Sequence, residues 1–381
     1  MKLVKLGESC KFFNGKAHEK NIDINGKFVV VNSKCISSNF KIQKFTNEQL
    51  FPLFKNDIVM VMSDVPNGKA LAKCRLIEED KKYSLNQRIA CIRSDTFYIP
   101  YLLYQLDRNP YFLKFDNGEN QTNLRKDDIL NCPLYLPSIG EQQRIVAKLD
   151  SAFAEIDKGI NQTNKYIENT NLLFEKKIEQ YFINNITNSP IVKLKDISEY
   201  FNGLTYSPDD ICDDGTIVLR SGNIQNGKMS YFDIKKVNKK IKDKLFVRPN
   251  DILICSRNGS QKLIGKSSLI GEIKEPMTFG TFMMIVRSEH NEYLQWFIKS
   301  KLFKKQILKG ENTMINQITR YMLDDISLPF PDKKNYTKIA NELAELDGYL
   351  RILNDTLNIK INNFNALKSS ILKQEFVNNA A

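Results

Sequence analysis

Short apolar runs bounded by Gly, Asn, Asp and Pro recur along the first third of the chain: Lys27–Ser33, Asp57–Met62 and Gln87–Arg93. Each has the length and β-branched character of a strand. Runs of the same kind return at Thr216–Gly222, Asp251–Arg257 and Thr281–Arg287. Helical patches lie near Pro100–Arg108 and Glu292–Lys305. Each stretch therefore predicts an α+β segment. After each one the period changes. Apolar or small residues fall at Val146, Leu149, Phe153, Ile156, Ile160, Thr163, Ile167, Thr170 and Phe174, in steps of three and four. A second series runs Ile339, Leu343, Leu346, Leu350, Leu353, Leu357, Ile361, Phe364, Leu367 and Ile371. These are heptad seams, which need a partner helix. They are too narrow and too long for the faces of ordinary globular helices. Two helices of roughly 40 residues, on the order of 60 Å each, are predicted, and they can pair with each other. No proline interrupts them; Gly159 and Gly348 are tolerated at about 1 kcal/mol each.

The chain also repeats itself. Val4-Lys5-Leu6 recurs as Val192-Lys193-Leu194, Phe13-Asn14-Gly15 as Phe201-Asn202-Gly203, and Val29–Ser33 as Ile217–Ser221. Asn56-Asp57-Ile58 matches Asn250-Asp251-Ile252, Gly118-Glu119-Asn120 matches Gly310-Glu311-Asn312, and Leu136-Pro137 matches Phe330-Pro331. The period is far too long for a solenoid. It predicts two copies of a domain-plus-helix unit: a domain over 1–137, a helix over 138–187, a second domain over 188–331 and a second helix over 332–381. The prolines Pro133, Pro137, Pro329 and Pro331 mark the boundaries.

Composition narrows the class. Of 381 residues 42% are hydrophobic, enough for real cores, which excludes a disordered chain. Lys and Arg number 56 against 44 Asp and Glu, a formal net charge of +12. That balance points to a polyanionic partner, most often nucleic acid, or to a soluble protein that is simply basic. The seven cysteines are scattered and nowhere form Cys-x-x-Cys. They read as reduced thiols packed as small apolar groups, and with two histidines no structural zinc site is expected. The N-terminus lacks an apolar run of signal-peptide length, and no stretch approaches ~20 apolar residues. The expectation is a soluble, cytoplasmic protein.

The junction Leu136-Pro137-Ser138-Ile139-Gly140-Glu141-Gln142-Gln143-Arg144-Ile145-Val146, set between a β-rich domain and a long heptad helix, resembles the specificity (S) subunit of type I restriction–modification enzymes. It is similar to that family's Pro-Pro-x-x-Glu-Gln-x-x-Ile-Val lead-in to the first spacer helix, with Ser138 where proline is common. The two-unit layout carries the resemblance over essentially the whole chain. The second junction, Pro331–Ile339, keeps Pro and Ile but lacks Glu-Gln. The resemblance implies two pseudo-repeated α/β target recognition domains joined by two long antiparallel coiled-coil spacer helices. It implies a non-catalytic subunit. Each domain would read one half of a bipartite, asymmetric site in double-stranded DNA. The paired helices would set the gap and dock two modification (methyltransferase) subunits, with Glu141, Gln142, Gln143 and Arg144 at the docking junction. Motor–nuclease restriction subunits would join. No cofactor belongs to this chain; S-adenosylmethionine is expected in the modification subunit, ATP and Mg in the restriction subunit. Two similar readers on an antiparallel helix pair also share the pseudo-two-fold symmetry of duplex DNA.

Catalytic motifs do not emerge. Asn109-Pro110-Tyr111-Phe112 lacks one proline of a methyltransferase loop and reads as a helix-ending turn. Ser260–Ser267 almost spells a P-loop, but the residues after it read as strand rather than helix, so a turn between strands is expected. Residues suited to base edges or phosphates cluster in predicted loops. In the first domain they are Lys16, Lys20, Asn67, Lys69, Arg88, Gln121, Thr122, Asn123 and Arg125. In the second they are Thr205, Tyr206, Arg220, Ser221, Asn223, Arg257, Asn258, Ser260, Gln261, Lys262, Thr281, Asn316, Gln317 and Arg320. Arg125 and Arg320 are expected at equivalent points. Acidic residues on the helices, such as Glu155, Glu168, Glu175, Glu342 and Glu345, suit protein partners better than phosphates. Competing readings are a coiled-coil scaffold or adaptor without sequence-specific DNA binding, a self-sufficient DNA-modifying enzyme, a subunit of a related fused restriction system, and an inactive spare copy.

Overall fold

The computed structural model describes residues 2–308 and 317–377. The chain forms two compact units, residues 1–162 with 360–381 and residues 163–359. In the first, a four-stranded antiparallel sheet has the order Lys11–Asn14, Ile89–Arg93, Ile58–Val61, Cys74–Leu76. A second sheet places Phe28–Val31 between Phe45–Thr46, antiparallel, and Tyr83–Leu85, parallel. Lys2–Lys5 pairs with Pro133–Leu136 and closes the domain beside the long helix. The second unit repeats this plan. Its main sheet runs Glu199–Asn202, Met283–Arg287, Ile252–Cys255, Ser267–Leu269. Thr216–Leu219 again lies parallel to a later strand, Met277–Phe279, and Ile191–Lys193 pairs with Ser327–Pro329.

The repeated tripeptides have physical reasons. Asn56 and Asn250 take positive φ, 72° and 67°, at the turn before a central strand. Asp57 and Asp251 come next, nearly inaccessible, each holding an arginine of the neighbouring strand through two bonds. Arg93 donates to Asp57 at 2.6 and 2.7 Å, and Arg287 to Asp251 at 2.8 and 2.6 Å. Each guanidinium also lies over a phenylalanine of the first strand, Arg93 at 4.9 Å from Phe13 and Arg287 at 4.8 Å from Phe201. One motif thus locks three strands of each sheet.

The two long helices are longer than the seams suggested: Ile139–Ile186, 48 residues, and Lys333–Val377, 45 residues, or about 72 and 68 Å. Within the first unit they run antiparallel. Lys148 pairs with Glu375 and Asp157 with Lys368, and Phe364 packs on Gly159. Within the second unit the pairing is also antiparallel, Asn171 with Asn354 and Tyr181 with Glu342. Gly159 is therefore more than tolerated: a Cβ there would lie 2.8 Å from the Phe364 ring.

The first helix seam matches the predicted positions, all of them buried or half-buried. The second departs from them. Leu346, Leu353 and Leu367 are exposed, and Asp347, Asn354 and Lys368 hold the half-buried positions one residue on. The inward series is Leu343, Asp347, Leu350, Asn354, Leu357, Ile361, Phe364, Lys368, Ile371, a regular heptad with polar members. Hydrophobicity alone misplaced these three positions by one residue, because the polar residues there find partners. Asp347 pairs with Arg351, Asn354 with Asn171, and Lys368 with Asp157.

At the junction, Gln142 is fully buried. Its amide nitrogen donates to Pro137 O at 2.9 Å and its oxygen accepts from Tyr98 N–H at 2.8 Å. The expectation that it faces a partner is corrected: it clamps the first turn of the helix to the domain. Tyr336 occupies the matching turn of the second helix, where its hydroxyl meets His290 Nδ1 at 2.9 Å. Glu141 and Arg144 form a two-bond ion pair at the surface. It holds the Glu141 carboxyl below its ordinary pKa. Gln143 is exposed.

Two further expectations shift. The patch 292–305 is two helices, Asn291–Lys299 and Lys301–Ile307, because Ser300 caps the second through Phe303 N–H at 3.2 Å. Asn109 opens a helical turn, Pro110–Leu113, rather than only ending one. Removing one member of a buried ion pair strands the other, so Asp251→Ala should lower stability by about 3–5 kcal/mol, measured by denaturant unfolding. Gln142→Ala, which leaves a buried N–H and carbonyl unpaired, should cost about 1–3 kcal/mol, whereas Gln143→Ala should leave the unfolding midpoint unchanged.

Candidate nucleic-acid interface

In each domain a four-residue turn enters the second strand of the main sheet. In the first it is Asn86–Ile89, closed by Ile89 N–H to Asn86 O at 3.0 Å; in the second it is Gly280–Met283, closed by Met283 N–H to Gly280 O at 2.8 Å. The chain before each turn is bridged in parallel by the end of the first strand, Lys16 with Asn86 and Leu204 with Gly280. Glycine is required there. A Cβ on Gly15 would lie 2.1 Å from Asn86 O, and one on Gly203 would lie 2.0 Å from Gly280 O. This accounts for the repeated Phe-Asn-Gly.

On its other side each turn is gripped by the chain leaving the central strand. Met62 N–H donates to Arg88 O at 3.1 Å, and Ser256 N–H to Phe282 O at 2.9 Å. The next link is shared too: Leu124 N–H donates to Met62 O at 2.8 Å, and Ile318 N–H to Ser256 O at 2.7 Å. Three backbone segments thus converge, and their outward side chains form one surface.

In the first domain this surface gathers Arg88, Gln121 and Asn123. Gln121 Nε2 lies 3.2 Å from Ser63 Oγ and 3.3 Å from Asn123 Oδ1. The Asp64 carboxylate accepts from Val65, Ala70 and Leu71 N–H at 2.9, 2.6 and 3.1 Å. It thereby shapes a turn that presents Asn67 and Lys69, with Asn67 donating to Gly118 O at 3.4 Å. Lys73 lies behind this turn; burial, then the neighbouring Arg75, lowers its pKa. Lys16 adjoins through Asn86, and Lys20 through the turn Glu19–Asn21, whose Glu19 meets the Asn86 amide at 3.4 Å. Thr122 is different. It is buried, with its hydroxyl 3.3 Å from Asp116 Oδ1.

The second domain brings together Arg257, Asn258, Ser260, Gln261, Lys262, Thr281, Gln317 and Arg320. Arg257 bridges Gln317, and its guanidinium sits 5.8 Å from the Phe282 ring centre. Asn258 donates to Ser221 Oγ at 3.2 Å and accepts from Ser260 N–H at 2.9 Å, which shapes the loop 257–262. That loop is a 3₁₀ turn leading to the strand Ser267–Leu269, as expected of a turn between strands. Phe282 stands between two polar concavities, one reaching Thr281, Gln317, Arg320 and Tyr321, the other formed by 257–262. Thr205 is exposed, and Tyr206 is half-buried beside Gly280. Arg220 and Asn223 face inward roles. Asn223 is 1% exposed and donates to Ser230 O and Asp233 O, while Arg220 pairs with Asp233. Asn316 and Gly310-Glu311-Asn312 lie outside the described residues.

The expected equivalence of Arg125 and Arg320 is one position out. Arg125 precedes the helix Lys126–Leu130, whereas Arg320 begins Arg320–Asp324 and Thr319 precedes it. Sequence reading also missed Phe282 and Tyr321, 54% and 84% exposed. For Phe282 the available signal was an aromatic set inside a polar, glycine-containing turn. Among the described residues no cluster of His, Cys, Asp or Glu could hold a metal ion, and no helix is long and apolar enough to cross a membrane.

Comparison with known proteins agrees with this duplicated plan. The type I restriction modification DNA specificity domain family matches twice, at residues 1–167 and 187–363. The specificity subunit of the type I restriction enzyme EcoKI of Escherichia coli is 28% identical over 165 residues, 41% of this chain and 35% of that protein. The StySPI specificity subunit of Salmonella potsdam is 29% identical over 159 residues, 39% of this chain and 34% of that protein. The matched segment thus spans about a third of these curated relatives. A solved structure concerned with complex assembly and conformational transition of the type I R-M system shares the fold over 98% of this chain and 96% of that one. Its TM-score is 0.70 at 16% identity. With both domains matched by one family and the fold shared end to end, the chain belongs to the type I restriction modification DNA specificity domain family.

Proposed function

We propose that this chain is the non-catalytic DNA-specificity subunit of a type I restriction–modification complex, each domain reading one half of a bipartite, asymmetric site. The observation that carries this reading is the pair of matched surfaces. Their backbones are alike, whereas the side chains they present differ: Arg88, Gln121 and Asn123 in one, Phe282, Arg257 and Gln317 in the other. Such a design reads different sequences with one geometry. The residues proposed for DNA contact are the exposed members of the two sets; Thr122, Arg220 and Asn223 support the loops instead. The domain limits 1–137 and 188–331 and the helices 138–187 and 332–381 are the proposed functional parts.

The helices support the partner assignment. Leu346, Tyr349, Ile352 and Leu353 form an exposed apolar stripe on the second helix, in addition to its buried seam. A helix apolar on two faces needs a second partner. Modification subunits, carrying S-adenosylmethionine, are the proposed occupants, with restriction subunits bringing ATP and Mg and the paired helices setting the gap.

Sequencing DNA for modified adenines after co-expression with the modification subunit tests this. A split motif with a fixed gap and one methylated adenine on each strand is expected. Exchanging residues 1–137 should change one half only. A complex that forms, binds cofactor and methylates no site would favour the scaffold reading. Tyr349→Asp with Leu353→Asp should weaken modification-subunit binding at least about ten-fold without unfolding the chain, read by titration of the purified subunits. Affinity for DNA should fall with salt by about 0.9 log units per log unit for each phosphate contacted; a binding isotherm unmoved between low and moderate salt would contradict a phosphate-tracking surface.

A further inference from the structure

We infer that the matched positions Arg88 and Phe282 set the difference between the two half-sites, Arg88 selecting a guanine and Phe282 a thymine through its methyl group. This rests on the reading of both surfaces as DNA-facing.

Both residues hold the third position of the same closed turn, and both carbonyls accept from the chain leaving the central strand. Phe282 O takes further bonds, from Arg257 N–H at 3.1 Å and Ser256 Oγ at 3.1 Å. The backbone is therefore fixed and the side chain points outward. Arg88 is exposed, and its guanidinium has no hydrogen bond or ion pair among the described residues. Five donors in a rigid fork match the O6 and N7 acceptors of guanine. Phe282 is 54% exposed, with the Arg257 guanidinium 5.8 Å from its ring centre. It stands among Arg257, Gln261, Lys262, Gln317 and Arg320, groups suited to phosphates and base edges. A phenyl ring has no hydrogen-bonding group, so it cannot read donor and acceptor patterns. The one apolar feature that distinguishes bases in the major groove is the thymine C5-methyl. An apolar ring held rigidly in a basic, concave surface fits that feature.

The test uses the full chain in complex with its modification subunit, after the methylated motif and the half read by each domain are known. Duplexes carry deoxyuridine for each thymine of the second half in turn, or 7-deazaguanine for each guanine of the first. Removing one buried methyl should weaken wild-type binding about four-fold at one thymine. Phe282→Ala should lose the same factor on thymine DNA and become indifferent to deoxyuridine there, while Phe282→Leu should keep the preference. Removing N7 from the contacted guanine should cost about ten-fold, and Arg88→Ala should abolish that sensitivity. The inference is overturned if the first half contains no guanine, or if no single thymine of the second half shows the loss on replacement by deoxyuridine. It is also overturned if Phe282→Ala weakens thymine and deoxyuridine duplexes equally, as a wedge between bases would, or if either alanine variant keeps its base preference. A wild-type complex with no preferred site would instead sink the specificity-subunit reading itself.

Discussion

Two backbones touch at Gly15 and again at Gly203, closer than any side chain would allow. That contact seats the end of the first strand against a turn, and the turn is held from the other side by the chain leaving the central strand. Everything presented at the candidate interface hangs on this three-way convergence. With its backbone bonds satisfied internally, the turn can exchange its outward side chains without disturbing the sheet below. Asp57–Arg93 and Asp251–Arg287 secure the opposite end of the same strands. Each domain is thus rigid at the base and variable at the rim, a division seen wherever binding loops ride on a fixed scaffold.

The helices solve a different problem. A heptad stripe of Leu and Ile alone would allow several registers and partners. Asn354 Nδ2 donates to Asn171 Oδ1, and Lys368 meets the exposed Asp157, contacts that a shifted register would break. Buried polar residues in coiled coils lower stability yet select register. The polar seam positions also release Leu346 and Leu353 to the surface, which gives the second helix its outward apolar stripe. Pairing specificity and the exposed apolar stripe are therefore two consequences of one residue pattern.

Much was legible in the chain itself. The six strand-length runs, the two long helices and the duplication come from period, turn residues and repeated tripeptides, because strands and helices have fixed side-chain periods. Gly-containing and Asn-Asp repeats were visible as matches, although their reasons, a backbone approach and a buried ion pair, were not. The helix break at Ser300 and the cap by Asn109 were not legible, since a single hydroxyl or amide decides them.

The sequence by itself determined the elements, their order and their twofold repetition, because local period and turn chemistry act through neighbours along the chain. Only the tertiary structure decided that Asn354 and Lys368, rather than Leu353 and Leu367, face inward, since they become acceptable there only once Asn171 and Asp157 of the other helix are there to meet them. It alone decided that Gln142 and Asn223 are buried clamps rather than surface groups, because burial of an amide depends on carbonyls and N–H groups brought from elsewhere. It alone showed that Phe282 and Arg88 hold the same place in one closed turn, fixed by backbone hydrogen bonds.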